Sequence, residues 1–531
     1  MLNDENNNGQ AGDIKGSLAI VILLALAVVT VVLRMHTATE PLTMDTAVYG
    51  YISHALLSGE KLYTGVWDHK PPGIFMLFMV SEFFFGYTLK AMAYTGVIFT
   101  LASLLFLYLF LKETAGRYAA VIGAALWTLA SNSVLLQGNE NNAEVFLNTF
   151  TLAALWAFVR SRKSTSKKYL VLCGASFAIA SLFKTIAVFP LIAVTVYAVL
   201  SPCSEEGEVD GARPREKNRV KTLVSLFLPG AVLWTAVFLY FAVQGRFPEF
   251  WESVFVFNAN YSGSIFSNVW TFITSPVLVF HEAYLDVWFL VISALAWIFV
   301  SKKEYGPGQS GRLTRGFFIL LFIGVLVEVA SPGKYFNHYY QLMIPIFCIL
   351  GALFFVDLRE RITVNGNLSG KAVFVLLILL TFLNLAWYQA RYLSMTPDEV
   401  SRVKHGSGAI DIREMAGFVE ARTSPCETIY VWGGEAGIYY YSGRRAASGI
   451  FFIFPLFFET EEGRADKLKR IYADLSNAPP ALFIRSKAYG TFGADQLFDF
   501  VERRYRVVKS FKDVDIYELR ERAVKQECGG D

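Results

Sequence analysis

Apolar and polar positions along this chain come in blocks rather than in alternation. Between about Gly16 and Gln389, apolar runs of roughly 15–20 residues follow one another, separated by short polar loops. A helix needs about 20 such residues to cross the hydrocarbon core of a bilayer. The blocks predict spans at 17–34, 91–111, 118–136, 142–159, 169–183, 185–200, 222–243, 284–300, 315–331, 339–356 and 372–390. One further apolar stretch, Ile74 to Tyr87, is shorter and opens with Pro71-Pro72-Gly73, which suits a helix lying in the interface or re-entering it. The expected fold is a polytopic α-helical membrane protein with about eleven transmembrane helices.

After residue 395 the pattern changes. Short β-like runs at Thr428 to Trp432, Ala481 to Arg485, Tyr505 to Phe511 and Asp515 to Leu519 lie among helical patterns at Ile412 to Arg422, Gly463 to Leu475 and Asp495 to Arg504. This predicts a small C-terminal α/β domain over 396–531, long enough for its own core.

The loops orient these elements. Basic residues gather at Lys112/Arg117, at Arg160 to Lys168, at Arg213 to Lys221, at Lys302 to Arg315 and at Arg359, Arg361 and Lys371. With Ile74 to Tyr87 left uncrossed, all five clusters fall on one side, which the positive-inside rule makes cytoplasmic. Residues 1–16 then form a cytoplasmic tail, 17–395 the membrane domain with a first external loop over 34–90, and 396–531 an extracytoplasmic domain. The run Leu18 to Leu33 has an Asn-rich, acidic flank and is followed by Arg34, Met35 and His36, without a small-residue cleavage site, so it reads as an uncleaved first span.

Composition sharpens this picture only slightly. Hydrophobic residues make up 54% of the 531 positions, and the net charge of +3 resides largely in the loops, so the basic residues report topology rather than nucleic-acid binding. Of the five cysteines, Cys173 and Cys348 sit inside apolar runs, and Cys426 and Cys528 are a candidate pair in the C-terminal domain.

Candidate chemistry falls on the side opposite the basic loops. The first external loop holds Asp45, Tyr49, His54, Trp67, Asp68, His69 and Lys70; the loop before the fourth span holds Glu140 and Glu144, one helical turn apart if that helix begins early. Lys184 sits in a tight connection between two spans, and Ser331 to Tyr340 brings Lys334 and His338. Titratable groups at the bilayer are costly and point to function. Each has a bland reading as well: a helix-start aspartate, a solvated loop, snorkelling lysines, an interfacial aromatic belt. Their shared side favours a common site. Transfer from a phosphate-linked lipid would use such a set, with a carboxylate (Asp45, or Glu140 and Glu144) to take a hydroxyl proton and cations (Lys70, Lys184, Lys334, His338) for a departing phosphate.

The segments Met44-Asp45-Thr46-Ala47-Val48-Tyr49, Ala55-Leu56-Leu57-Ser58-Gly59, Asp68-His69-Lys70-Pro71-Pro72-Gly73 and Lys334 to Pro345 occur in an order that resembles the GT-C superfamily of membrane glycosyltransferases, over roughly residues 17–395. The branch it looks most similar to contains protein O-mannosyltransferases and lipid A aminoarabinose transferases. The resemblance implies that Asp45 activates the acceptor, that Lys70, Pro71 and Pro72 lie in a loop folded over the donor site, and that Glu140 or Glu144 fills the acidic position of the second external loop. It departs in two places. Thr46 stands where protein mannosyltransferases have Glu, and His69 stands where aminoarabinose transferases have Glu before Lys-Pro-Pro, a position to which a divalent metal is tied.

The expected function is an inverting transfer of a monosaccharide from a polyprenyl-phosphate donor to a lipid, glycan or protein acceptor on the outer membrane face. No cofactor is required by the sequence, and a divalent metal remains an option. The competing readings are an oligosaccharide transferase or ligase of the same superfamily and a transporter or flippase. A transporter would place its ionisable residues at mid-membrane and show internal repeats, whereas these groups lie in loops and no repeat is seen.

Overall fold

The computed structural model describes residues 14–164, 166–201, 214–275, 284–306, 312–365 and 368–521. Among the described residues, six helices are long and apolar enough to cross a membrane: Gly16–His36, Leu89–Ala130, Ala143–Ser161, Arg219–Val243, Asn337–Ile362 and Ser369–Leu393. Shorter apolar helices, including Lys168–Ser181 and Trp288–Val300, fill the bundle between them. The chain is a multi-pass membrane protein. Its lipid-facing surface shows in helix α1 (Gly16–His36), where Leu18, Ile20, Val21, Leu24 and Val28 are all exposed.

The two predicted spans 91–111 and 118–136 are two helical segments, together α4 (Leu89–Ala130), that meet at a break at Gly116. Gly116 has φ 91° and ψ 176°, a conformation that a residue with a Cβ essentially never adopts. The second half stops at Ala130, short of the predicted 136. Residues 131–142 form a chain of turns before α5 (Ala143–Ser161). Helix α5 therefore starts after Glu140, and Glu140 and Glu144 do not share a helical face.

The first loop folds into α2 (Met44–Leu57), a turn-rich crossing and α3 (Gly73–Phe85). At one end of α3, Phe83 and Phe84 are largely exposed, while Ile74, Phe75 and Phe78 are buried. Sequence reading passes over residues 244–275. They form the short helices Phe247–Trp251, Phe257–Ser262 and Ile265–Thr274 beside that loop.

Opposite ends of the bundle carry opposite chemistry. At one end the basic loops meet: Glu113 binds Arg160 and Lys163, and Lys303 binds Glu360 at 2.6 Å. At the other end lie Asp45, Lys70, the 131–142 loop, Lys184, the 331–343 loop and the C-terminal segment.

That segment builds a five-stranded sheet in the order β2-β1-β3-β5-β4 from β1 (Thr428–Trp432), β2 (Arg445–Ala446), β3 (Leu482–Ser486), β4 (Tyr505–Ser510) and β5 (Val514–Leu519). β1 runs parallel to β2 and β3, and β5 pairs antiparallel with β3 and β4. The two central parallel strands, β1 and β3, are largely buried, whereas the short edge strand β2 is not. The sheet region docks on the first loop, where the Trp67 amide donates to the Gly449 carbonyl at 2.9 Å and the Ala446 amide to the Tyr51 hydroxyl at 2.8 Å, and on the 244–275 segment, where Lys467 pairs with Glu252 at 3.0 Å. Cys426 is disulfide-bonded, whereas Cys528 lies outside the described residues.

Candidate active site

Asp45 sits in the first turn of α2, where the helix dipole favours a carboxylate. Its oxygens nevertheless turn to residues far along the chain. Oδ1 lies 3.3 Å from Lys70 Nζ, and Oδ2 lies 3.7 Å from His338 Nε2. Helix capping therefore does not account for the residue.

Lys70 is brought there by its own loop. The Tyr63 hydroxyl donates to the Lys70 carbonyl at 2.8 Å, and Asn258 donates to the His69 carbonyl at 2.7 Å. After Pro71 and Pro72, the Gly73 amide donates to the Leu182 carbonyl at 2.9 Å, and a Cβ on Gly73 would come within 2.6 Å of that same oxygen. Only glycine permits this approach, which sets the Lys-Pro-Pro turn two residues from Lys184. The ammonium of Lys70 also lies 5.0 Å from the centre of the Tyr49 ring, and buried Asp68 is 3.9 Å from it and 2.9 Å from His69 Nδ1.

Lys184 follows the helix Lys168–Ser181, points onto Glu144 and lies 4.0 Å above the Tyr339 ring. His338 donates through Nδ1 to Gln137 Oε1 at 3.1 Å. Gln137 (φ 57°) and Tyr335 (φ 51°) hold left-handed backbone beside the cavity, the kind of local strain that collects at working sites.

These groups enclose a cavity of about 480 Å³, lined by Asp45, His69, Lys70, Pro71, Glu140, Lys184 and His338 among others. That size lies within the range of roughly 300–1,000 Å³ usual for small-ligand sites. Burial works against the Asp45 charge, but Lys70, His338, Lys184 and His69 together outweigh it and hold the carboxyl well below its ordinary value. Burial likewise opposes the Lys70 charge, and Asp45 and Asp68 overcome it, so Lys70 stays protonated. His69 is pushed down, chiefly by burial, so it is a neutral hydrogen-bonding imidazole at neutral pH.

Other expected residues are placed differently. Glu140 lines the cavity but is gripped by Lys404 at 2.7 Å, His405 at 2.7 Å and Asn142 at 3.1 Å. Glu144 lies beneath the lining, bonded to Lys184 through one oxygen. Pro72 and Tyr49 support the Lys70 turn from outside the lining. Lys334 stands apart from the Asp45 cluster, packed over Tyr261 at 4.5 Å and Phe458 at 4.4 Å. His54 pairs with Glu82 at 2.6 Å, and Trp67 packs edge-on to Phe257. No group of three or more His, Cys, Asp or Glu side chains is arranged to hold a metal ion among the described residues.

Sequence reading misses Asn258, Tyr261, His405 and Phe454, all on the cavity wall, because nothing local marks residues that arrive from distant segments. It also passes over Glu328, a carboxylate with 1% exposure in the last turn of the helix Arg315–Ala330. A lone glutamate near the end of an apolar run is the signal that finds it.

Residues 69–208 match the family model described as dolichyl-phosphate-mannose-protein mannosyltransferase. No curated protein sequence matches the chain. Among solved structures, ArnT from Cupriavidus metallidurans bound to undecaprenyl phosphate superposes with a TM-score of 0.59 at 16% identity, over 96% of this chain and 100% of that one. The chain has the GT-C fold. The archaeal oligosaccharyltransferase AglB from Archaeoglobus fulgidus, in complex with an inhibitory peptide and a dolichol-phosphate, shares the fold with a TM-score of 0.55 at 13% identity, over 92% of this chain and 72% of that one. The arabinofuranosyltransferase AftD from Mycobacteria matches with a TM-score of 0.52 at 11% identity, over 96% of this chain and 40% of that one. The family-model match takes in His69, Lys70, Glu140 and Lys184 of the cavity wall, but not Asp45, His338 or His405.

Proposed function

We propose that the protein is an inverting glycosyltransferase that moves a monosaccharide from a polyprenyl-phosphate donor to a hydroxyl acceptor on the outer face of the membrane. The observation that carries this reading is one carboxylate, Asp45, held by Lys70 and His338 from two other segments in a single cavity, with Lys184 on its wall. The match to a family of dolichyl-phosphate-mannose users and the undecaprenyl phosphate and dolichol-phosphate bound by ArnT and AglB support a lipid-phosphate donor.

The resting charges suggest how the site becomes competent. A carboxylate paired with Lys70 is a weak base. When the donor phosphate enters, Lys70 and Lys184 turn to it, the depression of Asp45 is relieved, and burial makes the freed carboxylate a better proton acceptor. The acceptor hydroxyl then gives its proton to Asp45 and attacks the anomeric carbon while the phosphate departs onto the lysines. Phosphate is already a good leaving group, so aiming and deprotonating the acceptor is the harder task. A single displacement inverts the anomeric centre.

The test is transfer of labelled sugar by purified protein from a synthetic polyprenyl-phosphate donor, with the product's anomeric configuration read by NMR. Asp45→Asn keeps the shape of the residue and removes its basicity, so kcat is expected to fall by about 10²–10⁴. Wild-type turnover in that variant, or retention of configuration, would overturn the mechanism.

A further inference from the structure

His405 is the last residue of the helix Pro397–His405, far from the membrane helices in sequence, yet it lines the cavity that holds Asp45. Its Nε2 lies 2.7 Å from Glu140 Oε1. The same carboxylate is bound by Lys404 Nζ at 2.7 Å and receives the Asn142 amide on its other oxygen at 3.1 Å. Burial disfavours the Glu140 charge, but Lys404 and His405 more than offset it and bring its carboxyl down to about 2. An ionised carboxylate only accepts hydrogen bonds, so with a neutral ring Nε2 carries the proton and Nδ1 is left as a bare acceptor. Among the described residues nothing hydrogen-bonds to Nδ1.

The helix that carries His405 is clamped. The Lys404 side chain is 1% exposed and lies 2.5 Å from Glu40 Oε1 and 3.2 Å from Asn139 Oδ1, besides Glu140. Phe454, from the sheet region, lines the same cavity. The cavity thus has two chemically distinct walls. Lys70 and Lys184 make one attractive to a phosphate; Glu140 and Glu40 behind His405 make the other repel it. A neutral hydroxyl is what an imidazole lone pair beside an anion accepts.

We propose that His405 is an acceptor-binding residue, whose Nδ1 accepts a hydrogen bond from a hydroxyl of the acceptor, and that the C-terminal domain thereby forms one wall of the acceptor subsite. This rests on the glycosyltransferase reading. The acceptor is accordingly a polyol, such as a glycan or a sugar-bearing lipid, that presents a second hydroxyl to His405 while the attacking one faces Asp45.

Two substitutions separate this role from a structural one. His405→Gln keeps a donor at the Nε2 position for Glu140 and loses the acceptor at Nδ1. His405→Asn does the reverse. Each is expressed in the native host lacking the chromosomal copy, and polyprenyl-phosphate-linked sugars are quantified in membrane extracts by mass spectrometry. The donor that accumulates in the deletion strain is then purified and its binding to each purified variant is measured. We expect His405→Gln to melt like wild type, bind that donor within twofold of wild type, and leave donor accumulated about tenfold above the wild-type level, since a substrate hydrogen bond is lost. His405→Asn should melt lower yet clear donor better than His405→Gln. The reverse order, with normal donor levels in His405→Gln, assigns His405 to structure and overturns the proposal. Tenfold weaker donor binding in His405→Gln would place the residue on the donor sugar and overturn it too. Accumulation in Asp45→Asn without accumulation in His405→Gln removes this inference alone, whereas absence of any accumulated donor in the deletion strain removes the proposed function and this inference with it.

Discussion

Asp45 and Lys70 form the ion pair on which the proposed chemistry turns, and their coupling has a measurable sign. Burial alone would raise the Asp45 carboxyl; Lys70 and its neighbours bring it below the ordinary 3.8. The pair therefore contributes stability that is present above about pH 4 and is lost as pH falls towards the depressed folded value. Lys70→Met removes the largest opposing charge and leaves burial in command, so the Asp45 value rises. The acid limb of kcat/KM, which reports the free enzyme, should move to higher pH in Lys70→Met, and donor KM should rise because a phosphate partner is gone. An unchanged acid limb and an unchanged donor KM would dissociate Lys70 from both Asp45 and the phosphate. Asp45 itself was legible in the sequence as a carboxylate just after a span. His338 was legible as a candidate site residue, but its approach to Asp45 was not, because only packing brings those two segments together.

Among the elements, the Lys-Pro-Pro turn depends on one close approach. Gly73 lies against the Leu182 carbonyl, where backbone cannot yield as a flexible side chain would. Gly73→Ala is expected to cost about 1–3 kcal/mol in stability, as overpacked sites do. It should also lower transfer activity further than the stability loss explains, because the displaced turn carries Lys70 away from Asp45. A thermal melt and a transfer assay on one preparation check both; an alanine variant with wild-type values in each would show that the contact is slack. Ile74 to Tyr87 was recognisable as too short to span, and it folds as the separate helix α3. The helices at 247–274 were passed over, since each is far shorter than a span: Phe247–Trp251, Phe257–Ser262 and Ile265–Thr274.

Over the whole molecule, the C-terminal segment is held on the membrane domain by a buried cluster. Lys404 sits between Glu40 and Glu140, and replacing it by methionine leaves two carboxylates facing each other without a cation. Lys404→Met should destabilise the protein by about 3–5 kcal/mol, the usual cost of breaking a buried pair by removing one partner. Because Glu140 is held at about 2 against an ordinary 4.5, its share of that stability is present above pH 4.5 and fades as pH falls towards 2. Limited proteolysis across this range should release the C-terminal segment in acid before the membrane helices unfold; simultaneous loss would count against docking through Glu140. Orientation is tested separately. With the basic loops cytoplasmic, an impermeant thiol reagent applied to intact cells should label Ser394→Cys and not Ser164→Cys, and the opposite labelling would invert the proposed topology along with the outer-face mechanism.

The period and length of the apolar runs were enough to identify a membrane bundle, because lipid leaves a spanning chain few ways to satisfy its backbone. The same local signals marked β1, β3, β4 and β5 and three of the helices after residue 396, but not the helix Pro397–His405 or the strand Arg445–Ala446, and the position of charged residues relative to the runs gathered Asp45, Lys70, Lys184 and His338 onto one side. Which of those charges touch was decided by tertiary structure. Glu140 and Glu144 are four positions apart yet serve different partners, since α5 begins between them at Ala143. Lys334 lies in the expected loop but packs on Tyr261 and Phe458. His405 reaches the cavity on a helix that Lys404 ties to Glu40 and Glu140, residues more than 260 positions away. Electrostatic and hydrogen-bond interactions act over a few ångströms in space, and no spacing along the chain encodes a distance between segments that are hundreds of residues apart.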